Sequence, residues 1–374
     1  MNIVNHGFEL GPIRPPSEAN SMLLRITRNC PWNKCVFCPV YKKAKFSFRS
    51  IEEIKSDIDS MHYIINRIHE KESELGKTAY FQDIKLDVPE DFIRKAMYWK
   101  TYGMKNLFLQ DADSLVMKTP QLLEVLRYVK EKFPSLERIT TYARAKTVSR
   151  KSLEELVALK NAGLTRIHIG LESGSDTVLE ILKKGVTSEE QIEAGRKAIA
   201  AGFELSEYYM PGAGGKEFIE ENALESARVL SSINPTYIRL RSTVPIPGTP
   251  LFELMNEKGW TQASEEDKIR EIKLFVENLH GLTSIIQSDH IMNLIEDVEG
   301  TLPDDKEKII GILDSFLEMN QDEKESYIIA RRLGRVRYLS DYRENSEIIA
   351  IKKYLKERYA TIDDAVSEIL RNYI

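Results

Sequence analysis

Asn29-Cys30-Pro31-Trp32-Asn33-Lys34-Cys35-Val36-Phe37-Cys38-Pro39 holds every cysteine of a 374-residue chain. Four residues separate the first two cysteines and two separate the second pair. Disulfides do not suit thiols this close, and an odd count leaves one over; such thiols usually bind metal. Structural zinc asks for four protein ligands, mostly Cys and His. A cubane iron–sulfur cluster normally takes four cysteines. Three thiolates complete neither set. A cluster held by three would keep one iron open to a small molecule, and an incomplete ligand set suggests chemistry. An electron-transfer cluster and a zinc site are the other readings of this loop.

Outward from the loop, short apolar and β-branched runs alternate with helical patterns. The spacing predicts strands over residues 23–27, 106–109, 138–142, 166–171, 204–210 and 237–241. Helices are predicted over 120–132, 152–162 and 188–201; Gly163 and Gly202 follow the last two as left-handed stops. From the second strand on, the roughly 30–40-residue spacing is that of βα units building a parallel sheet. A longer insertion, 51–103, separates the first two strands and carries helices over 51–71 and 90–102. After residue 260 the chain turns helical and highly charged, with segments over 268–279, 305–319, 323–333, 347–359 and 363–373. The fold class expected is α/β: a partial (β/α)6 TIM-like barrel over 1–260, then an all-helical C-terminal extension over 261–374.

Composition sets bounds. Hydrophobic residues make up 42% and charged residues 30%, and the formal net charge is −5. That is an ordinary globular balance with no field to draw in nucleic acid or an anionic membrane. No stretch approaches the ~20 apolar residues a membrane-spanning helix needs. Met1-Asn2-Ile3-Val4-Asn5-His6 lacks the basic and apolar regions of a signal peptide. A cytoplasmic protein with reduced thiols is expected.

In a parallel barrel, active sites lie at the C-terminal strand ends, and these ends are rich in chemistry. The cysteine loop follows strand one, Asp111 and Asp113 follow strand two, and Tyr142 ends strand three. Glu172 ends strand four within Gly170-Leu171-Glu172-Ser173-Gly174-Ser175. Pro211-Gly212-Ala213-Gly214-Gly215 follows strand five, and Arg239 and Arg241 lie on strand six. Asp at strand ends often only shapes turns. A carboxylate such as Glu172, ending an apolar strand, needs a partner. The glycines serve a turn or a close backbone approach to a ligand. Two arginines spaced by two share a strand face and ask for anions. In the extension, Ser288-Asp289-His290 reads either as an Asp–His pair orienting a base or as the cap of a helix. Arg331-Arg332, with Arg335 and Arg337, reads as a solvated basic face. His168 reads as core or barrel lining and Trp32 as packing within the loop.

The order of these motifs, completed by Pro245-Ile246-Pro247-Gly248-Thr249-Pro250-Leu251, resembles the radical S-adenosylmethionine (radical SAM) core of the coproporphyrinogen-dehydrogenase, methylthiotransferase and elongator type over roughly residues 20–255. The family's commonest cysteine motif has one residue fewer in its first gap; the longer gap looks like that of variant members, among them the elongator-type acetyltransferases. The resemblance implies that Cys30, Cys35 and Cys38 ligate an oxygen-sensitive [4Fe-4S] cluster whose fourth iron takes S-adenosylmethionine (SAM). It implies that Phe37 rests near the adenine, that Asp111 and Asp113 occupy the turn meeting the SAM amino group, and that Glu172 contacts SAM. The Gly-Gly-Glu-like form common at that turn is absent, and Arg239 or Arg241 would meet the SAM carboxylate. The implied reaction is reductive cleavage of SAM to methionine and a 5′-deoxyadenosyl radical that abstracts hydrogen from a small-molecule substrate. A reducing donor such as flavodoxin or ferredoxin is implied as a partner; nucleic acid and membrane are not. With every cysteine consumed and no module ahead of the core, an auxiliary cluster and an attached cobalamin domain are not expected. The alternatives are cleavage of a different SAM carbon–sulfur bond and a non-catalytic electron carrier.

Overall fold

Apolar runs bounded by acids and glycines become the strands, and amphipathic stretches between them become the helices. The computed structural model describes residues 7–371. The reading of Met1–His6 and the last residues of the helix expected over 363–373 therefore fall outside the described residues. The strands are β1 (Met22–Arg25), β2 (Thr27–Arg28), β3 (Ser47–Phe48), β4 (Asn106–Gln110), β5 (Arg138–Ala143), β6 (Leu164–Glu172), β7 (Glu204–Tyr209), β8 (Tyr237–Leu240), β9 (Ile285–Gln287) and β10 (Gly300–Thr301). β1 and β4 to β8 are the six strands the spacing predicts. The fold is mixed α/β with a mostly parallel sheet, consistent with a partial TIM-like barrel.

The chain forms two compact units. The first holds residues up to Trp32, Lys43–Ile169 and Lys197–Glu204. Here β1, β4, β5 and β6 pair in parallel, with Leu23 beside Phe108, Phe108 beside Thr140, and Tyr142 beside His168. The helix Ile51–Leu75 fills the long crossover after β1. It starts at Ser50, whose side chain accepts from Glu53 N–H while the Glu53 carboxylate accepts from Ser50 N–H. Ile54, Ile58, Met61, Ile65 and Ile68 recur at helical spacing and are buried. Gly76, at φ 65°, ends it. At the other end of this unit Glu18 is fully buried among Ser21, Arg138 and Arg166, with His168 Nε2 at 4.0 Å. His168 thus sits in the core as the sequence suggested.

The second unit holds Asn33–Lys42, Gly170–Arg196 and everything from Leu205. Here β7, β8 and β9 pair in parallel and β10 returns antiparallel to β9. The helices Ile219–Ile233 and Glu265–Glu277 pack together over this layer, with Tyr209 stacked on Phe275 at 4.3 Å. The extension corrects one expectation: it is not all helix. Ile285-Ile286-Gln287 is too short to show an alternating pattern, yet it adds a strand to β8. The helices Lys306–Leu317, Gln321–Arg332, Ser346–Lys356 and Ile362–Arg371 follow close to their predicted places.

Candidate active site at the cysteine loop

Both halves of the cysteine loop are tied down, each within its own unit. In the first unit Asn29 takes a left-handed conformation (φ 69°), which Asn tolerates better than most residues. Its backbone N–H donates to Asp111 Oδ2 at 2.9 Å, and its side chain donates to Lys45 O at 2.6 Å. Asp111 is fully buried. Arg25 donates to the same Oδ2 through Nε at 2.9 Å and Nη2 at 2.5 Å, and reaches Glu9 through Nη1 at 2.8 Å. A buried carboxylate needs such a partner. Gly11 leaves the space: a Cβ there would lie 2.3 Å from Asp111 Oδ1. Two residues beyond Cys30, Trp32 lies under the Arg144 guanidinium at 4.8 Å. Asp113 is also fully buried, and Thr147 Oγ1 donates to its Oδ2 at 2.5 Å. Its Oδ1 accepts no hydrogen bond, and burial pushes the carboxyl up to about 6.

In the second unit Lys42 donates to Cys35 O at 2.6 Å. Val36 N–H donates to Leu182 O at 3.0 Å, and Val36 O accepts from Leu251 N–H at 3.1 Å. The Val36 side chain lies in a core cluster with Val178, Leu182, Met210, Leu251 and Trp260, and Phe37 packs partly exposed against it. No disulfide joins the three cysteines, and each is partly exposed. Among the described residues no three His, Cys, Asp or Glu side chains converge as a single ion would require. A cubane asks for something else, one thiolate on each of three separate irons. Three soft thiolates on one anchored loop fit that group.

The other strand-end residues of this unit have definite partners. Glu172, left-handed at φ 63°, accepts from Lys184 Nζ at 2.8 Å. Gly170 has no room for a Cβ, which would meet Glu172 Oε1 at 2.1 Å. Glu207 on β7 is buried, and its Oε2 accepts no hydrogen bond. Burial pushes it well above the carboxylate range; nearby Lys184 lowers it and Glu172 raises it. Arg239 is buried and donates through Nη1 to Asp289 Oδ2 at 2.5 Å, whereas Arg241 is exposed. Among the described residues no hydrogen bond joins Asp289 to His290: Asp289 pairs with Arg239, its charge acting on His290 only through space, and the segment forms no helix for Ser288 to cap. Ser288 Oγ donates instead to Ile295 O at 2.7 Å.

The glycine turn after β7 is buried by its own chain. Glu271 accepts from Gly212 N–H at 2.8 Å, Tyr209 OH at 2.7 Å and Asn222 Nδ2 at 2.6 Å. Burial nevertheless pushes Glu271 up to about 7. Cβ atoms at Gly214 and Gly215 would strike Phe218 and the Thr261 carbonyl. These glycines admit neighbouring backbone and side chains of the same unit. Arg332 likewise corrects an expectation. It is buried against Glu265 and donates to the carbonyls of Ile291 and Met292, while Arg331 pairs with Glu296 at 2.5 Å. Sequence reasoning missed Lys184, Glu207 and Glu271. Lys184, within Lys183-Lys184-Gly185, looks like any solvated pair, and Glu271 sits in a charged helix; only tertiary contacts distinguish them.

Against known proteins, the sequence profile of the Radical SAM superfamily matches residues 24–225. An uncharacterized methyltransferase, PH0819, of Pyrococcus horikoshii is 21% identical over 257 residues, which is 67% of this chain and 46% of the relative. The tRNA uridine(34) acetyltransferase of Methanocaldococcus infernus is 22% identical over 252 residues, 65% of this chain and 46% of its own. The chain thus spans about half the length of the curated relatives it matches. Among solved structures, M. infernus Elp3 superposes with a TM-score of 0.42 at 18% identity, covering 53% of this chain and 52% of its own. The radical SAM methyltransferase TsrM of Kitasatospora setae does so at 0.44 and 15%, covering 63% and 39%. With more than half of its length matched by the family profile, this chain belongs to the radical SAM superfamily, as an enzyme whose cofactors are a [4Fe-4S] cluster and S-adenosylmethionine.

Proposed function

We propose that the enzyme cleaves SAM reductively and uses the resulting 5′-deoxyadenosyl radical to take a hydrogen atom from a small-molecule substrate. The observation that carries this reading is the anchored three-cysteine loop after β1, inside the matched region. Cys30, Cys35 and Cys38 would hold the cluster. When bound, the cluster supplies the electron that breaks a SAM carbon–sulfur bond. The chain's own residues bind and orient. We place Phe37 beside the adenine and Glu172, neutralised by Lys184, on the SAM side. We give Asp111 a positioning role, since its charge is balanced by Arg25 and it fixes Asn29. Asp113, buried with an oxygen that accepts no bond, remains available to a donor. The Arg239 charge is answered by Asp289, so of the two strand-six arginines Arg241 is the one open to an anion.

A reducing protein such as flavodoxin or ferredoxin would deliver the electron, and the reading places the enzyme in the cytoplasm. No described helix is long and apolar enough to cross a membrane. One observation favours a second reading: two relatives are named as tRNA uridine(34) acetyltransferases, which brings an RNA substrate into consideration. The net charge of −5 supports the small-molecule reading. The test is anaerobic reconstitution with iron and sulfide, then SAM and a strong reductant, with 5′-deoxyadenosine measured in the presence and absence of tRNA. A tRNA-dependent burst of product supports the RNA substrate. Methylthioadenosine in place of deoxyadenosine moves the cleavage to another carbon.

A further inference from the structure

The ends of β8 and β9 carry polar groups whose hydrogen-bonding capacity the protein does not use. Register places Tyr208, Arg239 and Gln287 in one row across β7, β8 and β9. Residues paired in a parallel sheet present their side chains on the same face. In this row the buried Arg239 Nε and Gln287 Oε1 have no hydrogen-bond partner. One is a donor and the other an acceptor, and buried polar groups are rarely left so. The Arg239 charge itself is answered by Asp289.

Just past this row lie the groups that face outward. Arg241 N–H still donates to Tyr209 O at 2.9 Å, so the ladder geometry runs through it. Arg241 is exposed, and among the described residues no ion pair is seen for it. Arg239 pairs with Asp289 at 2.5 Å, and Asn293 donates to Leu240 O and accepts from Ser242 N–H on either side of Arg241, so the segment carrying His290 runs beside Arg241. His290 Nδ1 accepts from Met292 N–H at 3.2 Å, which puts the proton of the neutral ring on Nε2. Burial and the nearby Arg241 charge hold His290 down to about 4, so the ring is a neutral donor at physiological pH. The group as a whole offers one uncompensated guanidinium, an imidazole N–H, and an unused donor and acceptor beside them.

We propose that the ends of β8 and β9 form an oxyanion seat in which Arg241 and His290 take a carboxylate or phosphate of the substrate, with Arg239 Nε and Gln287 Oε1 fixing a polar group next to it. This deepens the reading above by naming the substrate class, and it rests on that reading only in calling the ligand a substrate. An oxyanion could also come from the carboxylate of SAM, so the test separates the two. The full chain, cluster in place, is titrated calorimetrically with inorganic phosphate, with acetate and, separately, with SAM. The variants are Arg241→Gln, at an exposed position, and His290→Asn, whose side-chain oxygen can still accept from Met292 N–H. The expected result is saturable binding of phosphate or acetate that each variant weakens by about tenfold or more, as loss of a charge-assisted hydrogen bond implies, with SAM affinity unchanged. Absence of saturable anion binding, or wild-type anion binding by Arg241→Gln, overturns the proposal. Loss of SAM affinity in Arg241→Gln, with phosphate competing against SAM, also overturns it by giving the seat to the cofactor. Because none of these readouts needs turnover, their failure leaves the deoxyadenosine assay to judge the radical reading by itself.

Discussion

Asp111 ties three parts of the first unit together: the Arg25 guanidinium, the backbone of Asn29 ahead of Cys30, and the cavity that Gly11 leaves open. Removing its charge leaves Arg25, whose side chain is only 12% exposed, with Glu9 as its remaining anionic partner. Breaking such a buried pair by deleting one partner costs about 3–5 kcal/mol. Asp111→Ala is therefore expected to lower the unfolding free energy measured in urea by that order and to reduce the iron retained per chain, since Asn29 loses its anchor. Retention of full iron in a folded Asp111→Ala protein would argue against the anchoring role. Glu271 offers a test through pH. Its folded value of about 7 lies above its ordinary 4.5. The folded state then binds the extra proton, so the stabilisation is complete below about pH 4.5 and is lost as pH rises through about 7. Between pH 5 and 8 the wild type is expected to lose stability relative to Glu271→Gln, by up to about 3 kcal/mol from the linkage relation. Parallel stability–pH curves for the two proteins would contradict this. His290 and Glu265 act in the opposite sense, being depressed to about 4 and about 2, so the comparison with the variant isolates Glu271.

At the scale of elements, the Gly170–Ser175 stretch shows why a motif can be read correctly for the wrong reason. Gly174 is required by packing: a Cβ would lie 2.3 Å from the Glu225 carbonyl oxygen of the helix Ile219–Ile233. That obstacle is backbone and cannot rotate away. Gly174→Ala is expected to destabilise by roughly 2 kcal/mol or more through forced displacement of that helix, seen as a lower melting temperature with SAM absent. Gly170 protects the Glu172–Lys184 pair in the same way. Lys184→Ala leaves Glu172 without its cation and is expected to weaken SAM binding while cluster content stays unchanged. A Lys184→Arg variant that restores affinity would confirm that charge, and not packing alone, is at work. The helix Ile51–Leu75 and the six main strands were legible because their apolar periodicity is local. β9 was not legible, since three residues carry no period and its place depends on β8. The Ser288-Asp289-His290 stretch misled for a related reason. Its chemistry looked local, but Asp289 answers Arg239, fifty positions earlier in the chain.

At the scale of the molecule, what could be read in advance was what the chain writes contiguously. The cysteine loop, the order of strand-end motifs and the parallel βα rhythm are each local. The partners that hold them are scattered. Lys184 for Glu172, Glu271 for Gly212 and Arg332 for Glu265 are charged residues on helical or loop segments, where solvation is the ordinary expectation. Burial turns them into anchors, and no window of sequence reveals burial of that kind. The two compact units also draw on separated stretches of chain, which composition along the sequence does not mark. Each half of the cysteine loop is anchored within its own unit, the first by Asp111 and Arg144, the second by Leu182 and Leu251.

Radical chemistry at the cysteine loop is tested most directly by product analysis after anaerobic reconstitution with iron and sulfide, comparing the wild type with Cys35→Ala in the presence of SAM and a strong reductant. Methionine and 5′-deoxyadenosine are expected from the wild type and neither from the variant. A wild-type protein that assembles its cluster yet leaves SAM whole and unbound would contradict that chemistry and make the chain an electron carrier.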